Sequence, residues 1–238
     1  MRARIGVATA IAACVSLFGA AMAPAKTVTI GSPMTAPQPP TSFGTSRTLT
    51  ITALPEPGAI VSAPANGTVT SWSVSGATGG PLRLRIVRPV GGLFTGGGTS
   101  SAGTITGTGK LTFPTTLPIK KGDLIGVDPA NNSDAIGGAL GLPGSGYMFF
   151  NSELVNGGPG AAPASSGAGE PALSAQVLLN CVVPKLKGKK VKAAKKALAK
   201  AGCAPPRLKK KGKFVKSQNP KPGEEIPSDR AVVLKRRP

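Results

Sequence analysis

Residues 181–203 read CVVPKLKGKKVKAAKKALAKAGC, a segment framed by two cysteines in which eight of twenty-three residues are lysine. Val191, Ala194, Leu198 and Ala201 recur at the i, i+3, i+7, i+10 spacing of one α-helical face, while Lys192, Lys195, Lys196 and Lys200 fall on the others. Gly202 stands where a helix C-cap belongs. Beyond it the sequence predicts three short strands, over 207–211, 213–218 and 231–235. Gly212 separates the first two, and the turn-forming run Asn219-Pro220-Lys221-Pro222-Gly223 precedes the last.

The order of these elements carries a family likeness. Val183-Pro184-x-Leu186-x-Gly188, then Ala194-x-x-x-Leu198-x-x-Ala201-Gly202, then Val215-x-Ser217-Gln218-x-Pro220-x-x-Gly223, then Val232-x-Leu234 resembles the PASTA domain over residues 181–238. That small module is found on penicillin-binding proteins and bacterial serine/threonine kinases. The resemblance implies an α+β unit, one helix on a three-stranded sheet, with Val191, Ala194 and Leu198 buried and the lysines facing solvent. It also implies recognition of peptidoglycan fragments or β-lactams. This chain departs from the common pattern in having one copy, a cysteine pair and an unusually basic composition. A single copy forgoes avidity. The basicity makes wall contact partly electrostatic, towards acidic polymers or stem-peptide carboxylates, with Lys189, Lys192, Lys196 and Lys200 as the expected contacts.

Charge divides the chain. Residues 26–180 hold eight Lys and Arg against six Asp and Glu, whereas residues 181–238 hold nineteen against three, so +16 of the overall +20 lies in the last quarter. Such asymmetry marks a module boundary. Upstream of it the dominant signal is period-two alternation with turn punctuation. In TVTSWSV the alternation puts Thr70, Trp72 and Val74 on one face, and in PLRLRIVR it sets Leu82, Leu84 and Ile86 opposite Arg83 and Arg85. Similar runs at 110–113, 123–127, 147–150 and 173–179 predict a mainly β domain over 26–180. The expected architecture is an antiparallel two-sheet sandwich, with jelly-roll connections among the ways of joining its strands. Trp72 is expected in its core rather than on a sugar-binding platform. The Gly/Pro/Ala/Ser-rich stretch 155–172 has little apolar material and is expected to be a loop or linker.

The N-terminus, MRARIGVATAIAACVSLFGAAMAPAK, places Arg2 and Arg4 before an uncharged apolar run and the small-x-small site Ala23-Pro24-Ala25. This predicts a secretory signal peptide over 1–25 and no membrane span after its cleavage. An uncleaved anchor and acylation at Cys14, in a lipobox-like Ile11-Ala12-Ala13-Cys14, are the competing readings. Cleavage after Ala25 leaves Cys181 and Cys203, an even pair that reads as a disulfide in an oxidising compartment. Two thiols without any histidine make a poor zinc site.

The absence of histidine also excludes Ser-His-Asp and Cys-His catalysis. A glycosidase-like carboxylate pair could in principle come from Asp123, Asp128, Asp134 or Glu153, although Gly122-Asp123 reads as turn chemistry before a strand, and the oxygen-rich run 128–134 could hold Ca²⁺ but matches no defined calcium motif. Specific nucleic-acid binding is disfavoured because Phe214 is the one aromatic residue after 181 available for stacking. The expectation is therefore a secreted, non-catalytic, cell-wall-associated protein without cofactor or metal. The alternative is an extracellular carbohydrate-binding protein or enzyme whose active part is the sandwich. Nothing in the sequence fixes the oligomeric state.

Overall fold

The computed structural model describes residues 26–35, 40–42, 47–131 and 134–238. The expected signal segment 1–25, with Cys14 and Ala25, lies outside the described residues. One sheet is ordered β1 (Thr27–Gly31), β13 (Leu173–Val182), β4 (Gly67–Val74), β7 (Leu111–Ile119). A second contains β3 (Leu49–Ala53), β8 (Leu124–Pro129), β5 (Leu82–Val90) and β6 (Leu93–Thr99), in that order. Every one of these pairings is antiparallel. Numbering the eight strands along the chain gives 1-8-3-6 in one sheet and 2-7-4-5 in the other, the strand order of a jelly roll. Buried residues from both sheets, among them Ile30, Trp72 and Val177 on one and Leu49, Leu84 and Ile125 on the other, form one apolar cluster. The expected sandwich is therefore present, with its core between the two sheets.

An insertion between β8 and β13 elaborates it. There β9 (Ala135–Leu140) pairs with both β2 (Pro40–Ser42) and β12 (Gly169–Pro171), while β10 (Gly146–Phe149) extends the second sheet past β3 and carries β11 (Ser165–Gly167) at its edge. The stretch 155–172, expected as a loop, is thus only partly one. Residues 165–167 and 169–171 form β11 and β12, and Gly169, Glu170, Pro171 and Ala172 are all buried. Backbone pairing to β9 and β10, rather than apolar side chains, holds it in place, a source of order that composition does not reveal.

Two further details depart from simple alternation. In β4, Thr70 is exposed and does not share a face with Trp72. A register shift between Val69 and Ser71 makes Thr70 an extra residue, so that Val69 joins Trp72 and Val74 in the core. Trp72 itself is 1% exposed, its ring 4.6 Å from that of Phe113. In β5, Arg85 points away from Leu84 as alternation requires, yet it is only 4% exposed. The chain after β10 folds over that outer face, where Val87, Met148, Phe150 and Leu154 form a small second core. A charge trapped under this cover needs a partner. Arg85 Nε donates to Asp128 Oδ2 at 2.6 Å, Arg85 Nη1 donates to Asn156 Oδ1 at 2.8 Å, and Thr48 Oγ1 donates to Asp128 Oδ1 at 2.7 Å. Burial pushes the Asp128 carboxyl up, and the Arg85 charge opposes that rise.

The C-terminal unit comprises α1 (Val191–Lys200) and a sheet ordered β14 (Arg207–Lys209), β17 (Val233–Arg237), β15 (Phe214–Asn219). This is the expected helix with three strands, β14 parallel and β15 antiparallel to β17. One element was not expected: β16 (Glu225–Pro227) leaves this sheet and pairs with the end of β13, joining Asn180, Cys181 and Val182 to Pro227, Ile226 and Glu225. The strand that completes the jelly roll therefore continues into the basic unit.

Because breaking a buried ion pair leaves the other charge unsatisfied, Arg85→Met should lower stability by about 3–5 kcal/mol. Urea unfolding of the chain should show this loss, and Arg85→Met combined with Asp128→Leu should recover most of it. A loss within about 0.5 kcal/mol would mean that the pair is hydrated in solution.

Candidate functional site

The basic unit is built from residues whose local roles are specific. Lys190 precedes the helix in extended conformation, and Ala194 N–H donates to Lys190 O at 2.9 Å to start it. At the other end Gly202 N–H donates to Ala199 O and Cys203 N–H to Leu198 O, both at 3.0 Å, the paired bonds of a Schellman motif. Gly202 adopts φ +72°, a conformation that a side chain would disfavour. Ala194 and Leu198 are fully buried against Val183, Leu186, Val215, Ile226, Val232 and Leu234. Val191, expected with them, is half-exposed in the first helical turn, and Ala197 packs against the core instead.

Gln218 has a role that its position in a strand did not suggest. Its Oε1 accepts from Leu186 N–H at 2.7 Å and its Nε2 donates to Pro184 O at 3.0 Å. One side chain thereby ties the segment before the helix to β15. Cys181 and Cys203 are joined in a disulfide with Cα atoms 5.4 Å apart, linking the end of β13 to the residue after the helix cap. The bond closes the unit where β13 enters it.

Lys189, Lys192, Lys196 and Lys200 are all exposed. Lys192, Lys196 and Lys200 follow at i, i+4, i+8 along the helix face opposite Ala194 and Leu198. Lys200, in the last turn, complements the helix dipole, but the rest of the row works against the helix. No acidic residue occupies the first turn, where the dipole favours one, and like charges at i, i+4 cost a few tenths of a kcal/mol each, on the order of 0.2–0.5. The lysines are therefore not explained by helix stability. Nor are they neutralised: among the described residues the salt bridges join Arg85 to Asp128 and Glu153, and Arg88 to Asp123, leaving none of the nineteen cations after residue 180 ion-paired.

A second feature escaped the sequence. An open groove of about 580 Å³ runs along residues 204–207, 219–220 and 229–233, with Arg207, Asn219, Asp229 and Arg230 as its polar lining. Lys189, Lys192, Lys196 and Lys200 do not line it. Its residues lie in three separate segments, brought together because β14 runs beside β17 and Ala204 N–H bonds to Ser228 O. The prolines at 205, 206 and 220 are the one sequence signal it carries.

The carboxylates considered for catalysis or metal binding serve the sandwich. Asp123 accepts from Arg88 Nε and Nη2 at 2.9 and 2.7 Å and from Lys120 N–H at 2.8 Å, which closes the turn before β8 and raises the Arg88 pKa. Asp134 accepts from the Gly80, Ala130 and Asn131 amides at 2.7–2.8 Å. Asp128 belongs to the Arg85 pair, with half-exposed Glu153 3.5 Å from the same guanidinium. Of the possible calcium loop, Asn132 and Ser133 lie outside the described residues. No group of three or more His, Cys, Asp or Glu converges among the described residues.

Residues 182–235 match the family model of the PASTA domain. No family is assigned to the N-terminal part, and neither a curated protein nor a solved structure matches the chain. PASTA domains are generally linked to binding peptidoglycan and β-lactams in cell-wall proteins. Among the described residues no helix is long and apolar enough to cross a membrane.

The disulfide closes a loop of 22 residues, for which loss of chain entropy in the unfolded state amounts to about 3 kcal/mol. Replacing both cysteines by alanine should lower the urea midpoint correspondingly. Hydrogen exchange at the Ala194 amide, bonded to Lys190 O at 2.9 Å, should show whether the PASTA fold itself survives.

Proposed function

We propose that this is a secreted, non-catalytic, cell-wall-associated protein whose PASTA module contacts peptidoglycan or acidic wall polymers and whose jelly roll serves as the body carrying it. The observation that carries this reading is the surplus of unpaired positive charge on the module, set in a row along the exposed face of its helix. Uncompensated charge of one sign attracts and concentrates a polyanion. Lys189, Lys192, Lys196 and Lys200 form the broad contact. The groove at Arg207 and Arg230 adds two guanidiniums suited to carboxylates.

The structural duties of Asp123, Asp128 and Asp134 support a non-catalytic jelly roll, and burial of Trp72 removes its one indole from any sugar platform. Secretion rests on the signal-like N-terminus. Cleavage after Ala25 would leave Lys26 as the first residue. Its backbone nitrogen lies 3.0 Å from Ser228 Oγ and its carbonyl accepts from Leu179 N–H, so the mature chain would begin within ordered structure.

Binding of the mature chain to purified wall material should fall steeply with salt, since exposed charges are screened beyond a Debye length of about 10 Å at 0.1 M. Changing Lys189, Lys192, Lys196 and Lys200 to Gln should weaken it at low salt without lowering stability. Saturable, salt-resistant binding that ignores the four substitutions would overturn the electrostatic account. Intact-mass analysis of exported protein should place its first residue at Lys26, and a lipid-modified Cys14 would contradict that.

A further inference from the structure

The sheet of the PASTA module has two faces, and its own core uses only one of them. Leu208 on β14, Val215 on β15 and Leu234 on β17 belong to the apolar cluster that contains Ala194 and Leu198 of α1. Strand alternation sends their neighbours to the other side. The pairing register shows which of these stand together. Arg207, Val233 and Asn219 form one row across the three strands, Lys209, Lys235 and Ser217 the next, and Arg237 with Phe214 the last. Lys216 is the extra residue at the register shift between Val215 and Ser217 and takes no place in these rows. Val233 and Phe214 are half-buried, and the other residues of the three rows are exposed.

This open face is chemically divided. β14 and β17 give it Arg207, Lys209, Lys235 and Arg237, while β15 gives it an aromatic ring and two neutral polar groups. None of the three strands contains an acidic residue, and among the described residues none of the four cations is ion-paired. Lys209 and Lys235 even share a register position on neighbouring strands, whose backbones run about 5 Å apart, and like charges so placed destabilise a sheet. Folding therefore supplies no reason for the pattern. The face is also continuous with the groove of about 580 Å³, since Arg207, Val233 and Asn219 of its first row all line that groove. There Arg230 adds a fifth cation, with Asp229 as the one acidic lining residue.

We propose that this sheet face docks a linear acidic glycan, with its anionic groups along Arg207, Lys209, Lys235 and Arg237 and its sugar rings beside Phe214. The proposal deepens the wall-contact reading and rests on it for the source of the polymer. Successive rows lie two residues apart along the strands, so the positive charge repeats about every 6.6 Å. A compact anion would need only one row. A charged stripe with a neutral flank suits a chain in which charged and uncharged parts alternate. The guanidiniums at the two ends of the stripe can each hold carboxylate or phosphate oxygens through two N–H groups, which the lysine-only row on the helix cannot do. The helix row then concentrates the polymer through its field, and the sheet face seats it. A nucleic acid is the poorer fit, because the single ring of Phe214 offers a stacking surface to one base only.

The test measures binding of alginate oligomers, a linear polyuronate, to the mature chain by titration calorimetry at low salt. Two variants remove the same charge from different places: Arg207→Gln, Lys209→Gln, Lys235→Gln and Arg237→Gln on the sheet, and Lys189→Gln, Lys192→Gln, Lys196→Gln and Lys200→Gln on the helix side. The sheet variant should lose about tenfold or more in affinity, since charge-assisted hydrogen bonds go with it, and the helix variant about threefold or less. If the sheet variant does not fold, Lys209→Gln with Lys235→Gln carries the comparison against Lys192→Gln with Lys196→Gln. Relieving the facing like charges should leave its urea midpoint unchanged or higher while binding weakens. Equal losses from sheet and helix would overturn the proposal, because the charge would then act wherever it lies. So would absence of alginate binding by the wild type. Equally tight binding of a single-stranded oligothymidylate, with the same sensitivity to the sheet substitutions, would also overturn it by making the occupant a nucleic acid. A chain that binds alginate through the sheet yet ignores purified wall material would uphold this surface and remove only its assignment to the wall.

Discussion

The backbone pairing of β13 is the constraint on which both halves depend. This ten-residue strand is flanked by β1 and β4 within the jelly roll, and its last three residues pair with β16 of the PASTA module. Its side chains follow the same division: Leu173, Ala175, Val177 and Leu179 enter the sandwich core, while Cys181 enters the core of the basic unit. A strand cannot shift by one residue without turning all of these outward, so the registers of the two units are fixed together. Further bonds reinforce the seam. Ser228 N–H donates to Leu179 O, Asn180 N–H to Asn66 O, and Asn66 Nδ2 to Glu225 Oε2. The module is joined to the sandwich by a shared strand instead of a flexible linker, which fixes the direction in which its charged surface faces.

The two units handle charge in opposite ways for physical reasons. In the jelly roll, Arg85 and Arg88 lie under or beside covering segments and are matched by Asp128 and Asp123, because a cation removed from water must be paired. In the PASTA module the core is a small apolar cluster from Cys181 to Leu234 without a charged residue, and the lysines remain in water, where no partner is needed for folding. Solvation permits the surplus, and under the proposed function a polyanionic partner would give it a use.

Much of this was legible from residue order. The i, i+3, i+7 stripe located the helix, Gly202 its end, and the Pro-Gly run the return of the chain to a last strand. The bounds shifted by about two residues, as at β17, which begins at Val233 and not at 231, because strand ends depend on partners rather than on composition. The candidate site was legible only in part. The lysine row follows from helix geometry, whereas the groove at Arg207 and Arg230 combines three segments whose proximity depends on a parallel pairing between β14 and β17.

By itself the sequence determined where apolar and charged residues alternate, hence a sandwich followed by a basic helix-and-sheet module with one disulfide. Those features arise from contacts between residues close in the chain or from composition. Tertiary structure decided which faces are covered. It buried Arg85 beneath residues that follow β10, moved Thr70 out of the core through a bulge shared with β7 and β13, and ordered a glycine-rich stretch by pairing it to β9. Each of these depends on backbone hydrogen bonds between distant segments. Such bonds involve groups that every residue carries, and so leave little trace in the identity of the residues that make them.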